Sequence, residues 1–336
     1  MFFSDEINKN NPKDIKDIKE FLRSFDIVYD NPEKTFVIRD KGEIVATGSV
    51  DENILKYFFV NKEYKGQGTT GIIYKSLLNY LFDKGHDSFF VFTRPNNKII
   101  FESLGLKEVY STERVSLFEG GFYNYNNWIK KVKESLKHKK GIRGSIVMNC
   151  NPMTKGHKYL INQSLKKVDD LIIFVVEEDK SVFPFKDRFN IMKEELKNLD
   201  NVELVKGGPY IISQGTFPTY FIKEKDEMLS TYTELDGSIF GDKIAKDLEI
   251  DIRFLGSEPE DVVTLAYNNT LKDILECKGI EVIIKSRKEL NGEIISASYV
   301  RRLLKEGKNK EAYKYLPDST IDYLKSEKGQ KIISLL

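Results

Sequence analysis

The sequence predicts two α/β domains in series, the second built on a parallel sheet. Three observations predict it. Short apolar runs of strand length alternate with stretches whose apolar residues recur at helical spacing, from residue 14 to residue 305. Twice a strand-like run enters a helix through a glycine-containing turn, at residues 64–71 and 149–157. Between these turns, residues 121–141 shift to aromatics followed by lysines. The expected organisation is a first domain over 1–120, a linker helix over 121–141 and a second domain over 142–336. That length suits two domains of about 100–200 residues each.

In the first domain, residues 14–25 place Ile15, Ile18, Phe21, Leu22 and Phe25 on one helical face. Strands are expected at 35–39 and 43–50, joined by Asp40-Lys41-Gly42, a hairpin signal. A third strand, 54–60, leads into Tyr64-Lys65-Gly66-Gln67-Gly68-Thr69-Thr70-Gly71. The helix that follows, 72–84, turns Ile72, Ile73, Leu77, Leu78 and Leu81 inward. A strand at 88–93, a short helix at 98–104 and strands at 109–110 and 114–118 complete the set. A strand, a Gly-rich turn and a helix can offer backbone amides to a pyrophosphate, which makes Lys65, Gly66, Gly68 and Gly71 binding candidates. A plain turn in a small α/β domain would use the same residues.

The linker carries Phe122, Tyr123, Tyr125 and Trp128 ahead of Lys130, Lys131, Lys133, Lys137, Lys139 and Lys140. Basic residues among aromatics can mark a nucleic-acid surface. With 53 basic and 52 acidic residues there is no global positive field, so a helix that packs its aromatics and solvates its lysines is expected. No nucleic acid and no membrane partner is expected, because no apolar run approaches the ~20 residues of a membrane span. Met1 to Glu6 lacks the basic-then-apolar pattern of a signal peptide, and Cys150 and Cys277 form no framework or metal cluster. A cytoplasmic protein with reduced thiols is expected.

The second domain opens with a strand at 146–148 and continues with strands at 171–176, 202–205, 252–255 and 282–284, several of them nearly uninterrupted apolar runs. Helices are expected from 158 onward, at 186–199, 217–229, 241–248, 261–275 and 297–305. In such sheets ligands sit beyond the carboxyl ends of the strands. Asn149, Asn151 and Pro152 end the first strand at that edge, ahead of Thr154-Lys155-Gly156-His157. Gly156 allows close approach to the backbone, and Thr154 and His157, three apart at a helix start, can face one bound group. His157 is one of three histidines; His86 and His138 lie in polar surroundings with no site around them.

Two further stretches suit phosphate, and a third follows a strand at the same edge. Ile295-Ser296-Ala297-Ser298-Tyr299-Val300-Arg301 offers an N-cap in Ser296 and a Ser298–Arg301 pair sharing a helical face. Lys180 to Arg188 is a loop with cations at Lys180, Lys186 and Arg188, of which Lys180 and Arg188 are the candidates. Gly256-Ser257-Glu258-Pro259 follows the strand at 252–255, at the edge where ligands bind.

These motifs carry a resemblance. Thr154-Lys-Gly-His157 and Ile295-Ser-Ala-Ser-Tyr-Val-Arg301 resemble the T/H-x-G-H and I-S-x-S/T-x-V-R/K signatures of the nucleotidyltransferase superfamily, whose domain is Rossmann-like. The turn Lys65-Gly-Gln-Gly68 resembles the coenzyme A loop of the GNAT acetyltransferases. There Thr70 stands where that family has its second small residue, and Phe101 where it often has a proton-donating Tyr. Taken with Tyr210-Ile-Ile-Ser-Gln-Gly-Thr-Phe-Pro-Thr-Tyr-Phe-Ile222 and Gly256-Ser-Glu-Pro259, nearly the whole chain resembles the citrate lyase ligase family.

That resemblance implies an AMP-forming acid–thiol ligase. ATP, with Mg²⁺ on its phosphates, would activate acetate as acetyl adenylate. The acetyl group would then pass to the prosthetic-group thiol of the acyl carrier subunit of citrate lyase. It implies His157, Thr154 and Arg301 as catalytic residues, with Ser296, Ser298, Lys180, Arg188, Asn149, Asn151, Gly156, Gly256, Ser257 and Glu258 around ATP. Ser213 and Thr216 are the candidates for acetate, and the first domain for the carrier's arm, which derives from dephospho-coenzyme A. Two other functions share the motifs: an adenylyltransferase acting on pantetheine phosphate or nicotinamide mononucleotide, and an active N-acetyltransferase fused to a nucleotide sensor.

Overall fold

Two separate sheets organise the chain. The computed structural model describes residues 2–137, 139–177, 181–212, 217–218, 225–257, 261–290 and 292–336. It gathers into two compact units, Met1–Trp128 with Pro218–Leu235, and Ile129–Phe217 with Asp236–Leu336. The contiguous domains expected at 1–120 and 142–336 differ from these units in two respects: the first boundary falls between Trp128 and Ile129, inside the expected linker, and the second unit is interrupted. A segment from the middle of the sequence, 218–235, groups with the first unit, where Arg114 Nη1 donates to Ser230 Oγ at 2.9 Å.

The first unit contains β1 (Ser4–Glu6), α1 (Pro12–Arg23), β2 (Lys34–Asp40), β3 (Glu43–Asp51), β4 (Ile54–Val60), α2 (Thr69–Asp83), β5 (Ser88–Thr93), α3 (Lys98–Ser103), β6 (Lys107–Ser111) and β7 (Ser116–Gly121). Its sheet runs β1-β2-β3-β4-β5-β7-β6. Every neighbouring pair is antiparallel except β4 with β5. Ile18 and Leu22 of α1 pack with Val37, Ile44 and Tyr57 in one core. Ile73, Leu77 and Leu81 of α2 pack with Ile38, Ala46, Leu55 and Val91 in another. Adjacent strand residues thus point to opposite faces, and each face carries a helix. The parallel strands β4 and β5 pair only at Ile54–Phe90 and Leu55–Val91 and then part.

The second unit takes most of α4 (Tyr125–Ser135), followed by β8 (Arg143–Met148), α5 (Lys155–Ser164), β9 (Asp170–Val175), α6 (Phe185–Leu196) and β10 (Val202–Lys206). After α7 (Lys225–Ile239), which the division also crosses, come α8 (Ala245–Leu248), β11 (Ile252–Gly256), α9 (Val262–Cys277) and β12 (Glu281–Lys285). A short hairpin, β13 (Glu289–Leu290) and β14 (Glu293–Ile294), precedes α10 (Ala297–Lys305), α11 (Asn309–Ala312), α12 (Asp318–Lys325) and α13 (Glu327–Ser334). The hairpin and the last three helices were not foreseen in the sequence. The expected helix over 241–248 is a π-helical turn, Phe240–Ile244, that links α7 to α8. The expected helix over 217–229 lies partly outside the described residues.

Five parallel strands form the sheet of this unit in the order β10-β9-β8-β11-β12. From β8 the chain builds outward through β9 and β10, then restarts on the other side with β11. The loops leaving β8 and β11 therefore diverge and open a crevice at the carboxyl edge. On one face Ile146, Ile173, Val175 and Phe254 meet Ile161, Ile191, Met192 and Leu196 of α5 and α6. On the other, Phe174 stacks edge-on against Phe240 with ring centroids 6.2 Å apart.

Candidate functional site

The crevice is bounded by two helix starts. Thr154 caps α5 in an extended conformation: its Oγ1 accepts the His157 N–H at 3.4 Å, and His157 Nδ1 accepts the Thr154 N–H at 2.9 Å. Because Nδ1 is an acceptor in that bond, the ring proton of a neutral His157 sits on Nε2. Burial, with the nearby Arg287 charge second, lowers the His157 pKa to about 4. At neutral pH the ring is therefore an uncharged donor. Thr154 itself is only 1% exposed and acts mainly by fixing this ring.

Ser296 caps α10 the same way, its Oγ accepting the Tyr299 N–H at 3.1 Å. The two starts touch. A Cβ on Gly156 would lie 2.8 Å from the Ile295 carbonyl, so only glycine lets the arms approach this closely. Arg301 Nη1 donates to the Asn151 carbonyl at 2.5 Å, and Nη2 to Ser298 Oγ at 3.2 Å. Two motifs about 140 residues apart in sequence thus lie side by side.

Between them lies a cavity of about 670 Å³ lined by Thr154, Gly156, His157, Gly256, Ser296 and Ser298 from the expected set. Tyr159, Asp261, Lys285, Arg287, Lys288 and Arg302 also line it and were not anticipated. A signal for three of them was available: Lys285-Ser-Arg-Lys288 is a basic run directly after a buried parallel strand, at the edge where ligands bind. Arg302 lies four residues after Ser298, one position beyond the arginine that the motif highlights. Arg287 is held in place by Ser257, whose carbonyl accepts its Nε–H at 2.9 Å and whose hydroxyl accepts its backbone N–H at 3.2 Å. Ser257 thus orients a cation and is not among the cavity-lining residues.

Several sequence candidates take other roles. Arg188, expected to reach phosphate, is fully buried, and its guanidinium donates to the carbonyls of Asn149 at 2.6 Å, Phe183 at 2.9 Å and Val176 at 3.0 Å. It holds loop backbone and has no surface for a ligand. Asn149 pairs its amide with Ser181 Oγ at 3.0 Å, and Asn151 Oδ1 accepts the Phe183 N–H at 3.0 Å, so both side chains fasten the loop after β9 to the loop after β8. Thr320 Oγ1, on α12, donates to the Met153 carbonyl at 3.0 Å and ties the loop after β8 to that helix. Arg301 is not among the cavity-lining residues and uses both terminal nitrogens on Asn151 and Ser298. Lys180, Ser213, Thr216 and Glu258 lie outside the described residues. Cys150 is buried, which raises its thiol pKa, so it is not a nucleophile at neutral pH. Among the described residues no group of three or more His, Cys, Asp or Glu is placed to hold a metal ion. No described helix is long and apolar enough to cross a membrane.

In the first unit Gly66 and Gly68 have φ of 77° and 80°, a left-handed turn that feeds α2, and no atom lies within 4 Å of a Cβ placed at Gly66, Gly68 or Gly71. Lys65 precedes them in an extended conformation. Where β4 and β5 part there is a second cavity of about 380 Å³, lined by Phe25, Phe58, Phe59, Phe92, Arg94 and Asn96 among others. Phe101 borders it and is 4% exposed, with no proton to give.

Residues 143–324 match the family described as the citrate lyase ligase C-terminal domain, which is more than half of the chain, and residues 3–100 match the acetyltransferase (GNAT) family. The chain is 31% identical over 338 residues to the citrate (pro-3S)-lyase ligase of Escherichia coli K12, covering 97% of this chain and 95% of that one. It is 31% identical over 313 residues to the enzyme of the same name from Klebsiella pneumoniae, covering 91% of each. For that of Haemophilus influenzae the figures are 32% over 315 residues, 91% of this chain and 94% of the relative.

Proposed function

The chain belongs to the citrate lyase ligase family, and we propose that it is an AMP-forming acid–thiol ligase whose second unit makes acetyl adenylate from ATP and acetate. The observation that carries this is the joining of two capped helix starts, Thr154–His157 and Ser296–Ser298, around one cavity that also holds Lys285, Arg287, Lys288 and Arg302. Free amides at two helix starts and four cations suit a polyphosphate.

In the first step an acetate oxygen attacks the α-phosphorus of ATP, and pyrophosphate leaves. Charge builds on the equatorial oxygens and on the leaving group. His157 Nε2–H, neutral and fixed by Thr154, donates to an equatorial oxygen. Ser298, Arg287, Arg302 and the amides at the start of α10 receive the pyrophosphate. Arg301 positions the loop after β8 through Asn151. Mg²⁺ would come as part of the ATP substrate and would draw charge from the phosphate oxygens that Arg287 and Arg302 face. In the second step a thiol on the acyl carrier of citrate lyase attacks the acetyl carbon, and AMP leaves.

The acid is tested by ATP–pyrophosphate exchange. Exchange that requires acetate supports the ligase. Exchange that runs instead with a phosphoester such as pantetheine phosphate would make the chain an adenylyltransferase, a reading that family membership does not favour.

For the first unit we propose that the cleft between β4 and β5, with the turn at Lys65, Gly66, Gly68 and Gly71, holds the carrier's arm and does no acyl transfer of its own. The absence of a proton donor at Phe101 supports this. Asn96 is exposed at the cleft, so Asn96→Trp should narrow the cleft without unfolding the unit. Its expected effect is a roughly tenfold rise in KM for the carrier, about 1.4 kcal/mol, with exchange unchanged. Equal transfer by variant and parent would count against the arm site.

A further inference from the structure

Two cavity lysines have no carboxylate partner among the described residues. Lys285 ends β12, and Lys288 follows it with its Nζ 5.9 Å from the ring centroid of Tyr159, two residues after His157 on α5. The lysines of α5 itself are engaged: Lys158 with Glu195 at 2.5 Å, Lys155 with the Lys314 carbonyl at 2.8 Å.

Under the reading proposed above, on which this inference rests, the cavity holds a mixed anhydride of acetate and AMP. Its carbonyl carbon is an acyl donor to any nucleophile within reach. The intended acceptor, a thiol, arrives from another polypeptide and is absent whenever that polypeptide is scarce. We infer that Lys288 then takes the acetyl group. Its unprotonated Nζ attacks the carbonyl carbon, a C–N bond forms, and the C–O bond to the AMP phosphate breaks. AMP leaves with the electron pair, and the nitrogen's surplus proton passes to water. The product is N-acetyllysine, and no further reactant is needed.

The consequence is electrostatic. Acetylation removes one of the four cations of the cavity, the other three being Lys285, Arg287 and Arg302. ATP then binds less well, so adenylate made without an acceptor shuts down its own production. The side reaction is a brake set by the supply of carrier.

The full chain is incubated with ATP, Mg²⁺ and deuterated acetate, without carrier, while exchange is followed; peptides are then weighed. The expected result is deuteroacetyl on Lys288, exposed where it lines the cavity, far above that on exposed lysines outside it such as Lys16 and Lys130, none without ATP, and exchange that declines as label accumulates. Lys288→Arg keeps the charge without the nucleophile, so it takes no label there and its exchange does not decline with time. Acetate-dependent exchange with Lys288 unlabelled, or labelled no more than Lys16 and Lys130 outside the cavity, overturns the brake and leaves the ligase standing. Absence of acetate-dependent exchange overturns the ligase instead. Chemically prepared acetyl adenylate, added to the same chain, then decides the reactivity of Lys288 by itself.

Discussion

His157→Ala is expected to lower acetate-dependent pyrophosphate exchange about 10²–10³-fold, the usual cost of one oxyanion donor. The fold should survive. The ring's structural bonds both run from Nδ1 to Thr154, to its N–H at 2.9 Å and its Oγ1 at 3.0 Å, and losing partners of that kind costs roughly 1–3 kcal/mol. The pH profile gives a second test. Burial and Arg287 hold the folded-state pKa near 4, against an ordinary value of 6.5. The neutral donor therefore persists from alkaline pH down through pH 6.5, and activity should show no histidine titration there. The stability this group contributes follows the same sign. It is complete above 6.5, where folded and unfolded rings are both neutral, and it is lost as pH falls towards 4, because the unfolded ring binds a proton first. Exchange that drops as pH rises, with a midpoint near 6.5, would mean that a charged imidazole does the work, and a drop as pH falls through 6.5 would mean a neutral ring whose pKa burial has not lowered. Unchanged exchange in the alanine variant would remove His157 from the reaction altogether.

What the sequence made legible were features confined to a few consecutive residues. Thr154 to His157 and Ser296 to Arg301 each combine a cap, a glycine or small residue and a polar face within one helical turn, and their resemblance to two signatures of one superfamily marks them as a pair. The parallel strands were legible because burial on both faces demands continuous apolar runs, as in Asp170–Val175. Less legible was whatever depends on distant partners. Segment 218–235 groups with the first unit through surfaces that no contiguous reading displays. Arg287 becomes a site residue only because β12 lies beside β11, which brings Ser257 to it. Asn149 and Asn151 looked like ligand groups because their amides are polar at a strand end; the loop after β9 uses those amides first.

Arg188 is the sharpest case, and its replacement should have the second large effect. On α6 it falls between Phe185 and Met192, three and four residues away, and hence on the apolar stripe. A guanidinium on that stripe must satisfy its donors inside the protein, and it does so on three carbonyls from both loops at the edge of the site. Arg188→Met would leave those three acceptors without this donor. At about 1–3 kcal/mol for each buried group left unpaired, the loss is roughly 3 kcal/mol or more. A unit of this size then melts roughly 6–12 °C lower, at about 2–4 °C per kcal/mol. Arg188→Lys should recover little, because one ammonium cannot span three carbonyls fixed by a planar fork. Exchange should fall in parallel, since the Asn149 carbonyl belongs to the loop that delivers Thr154 and His157. A phosphate-binding arginine would behave otherwise. Its loss would raise KM for ATP or lower kcat while the melting midpoint stayed that of the parent, and that result would return Arg188 to the ligand side of the cavity.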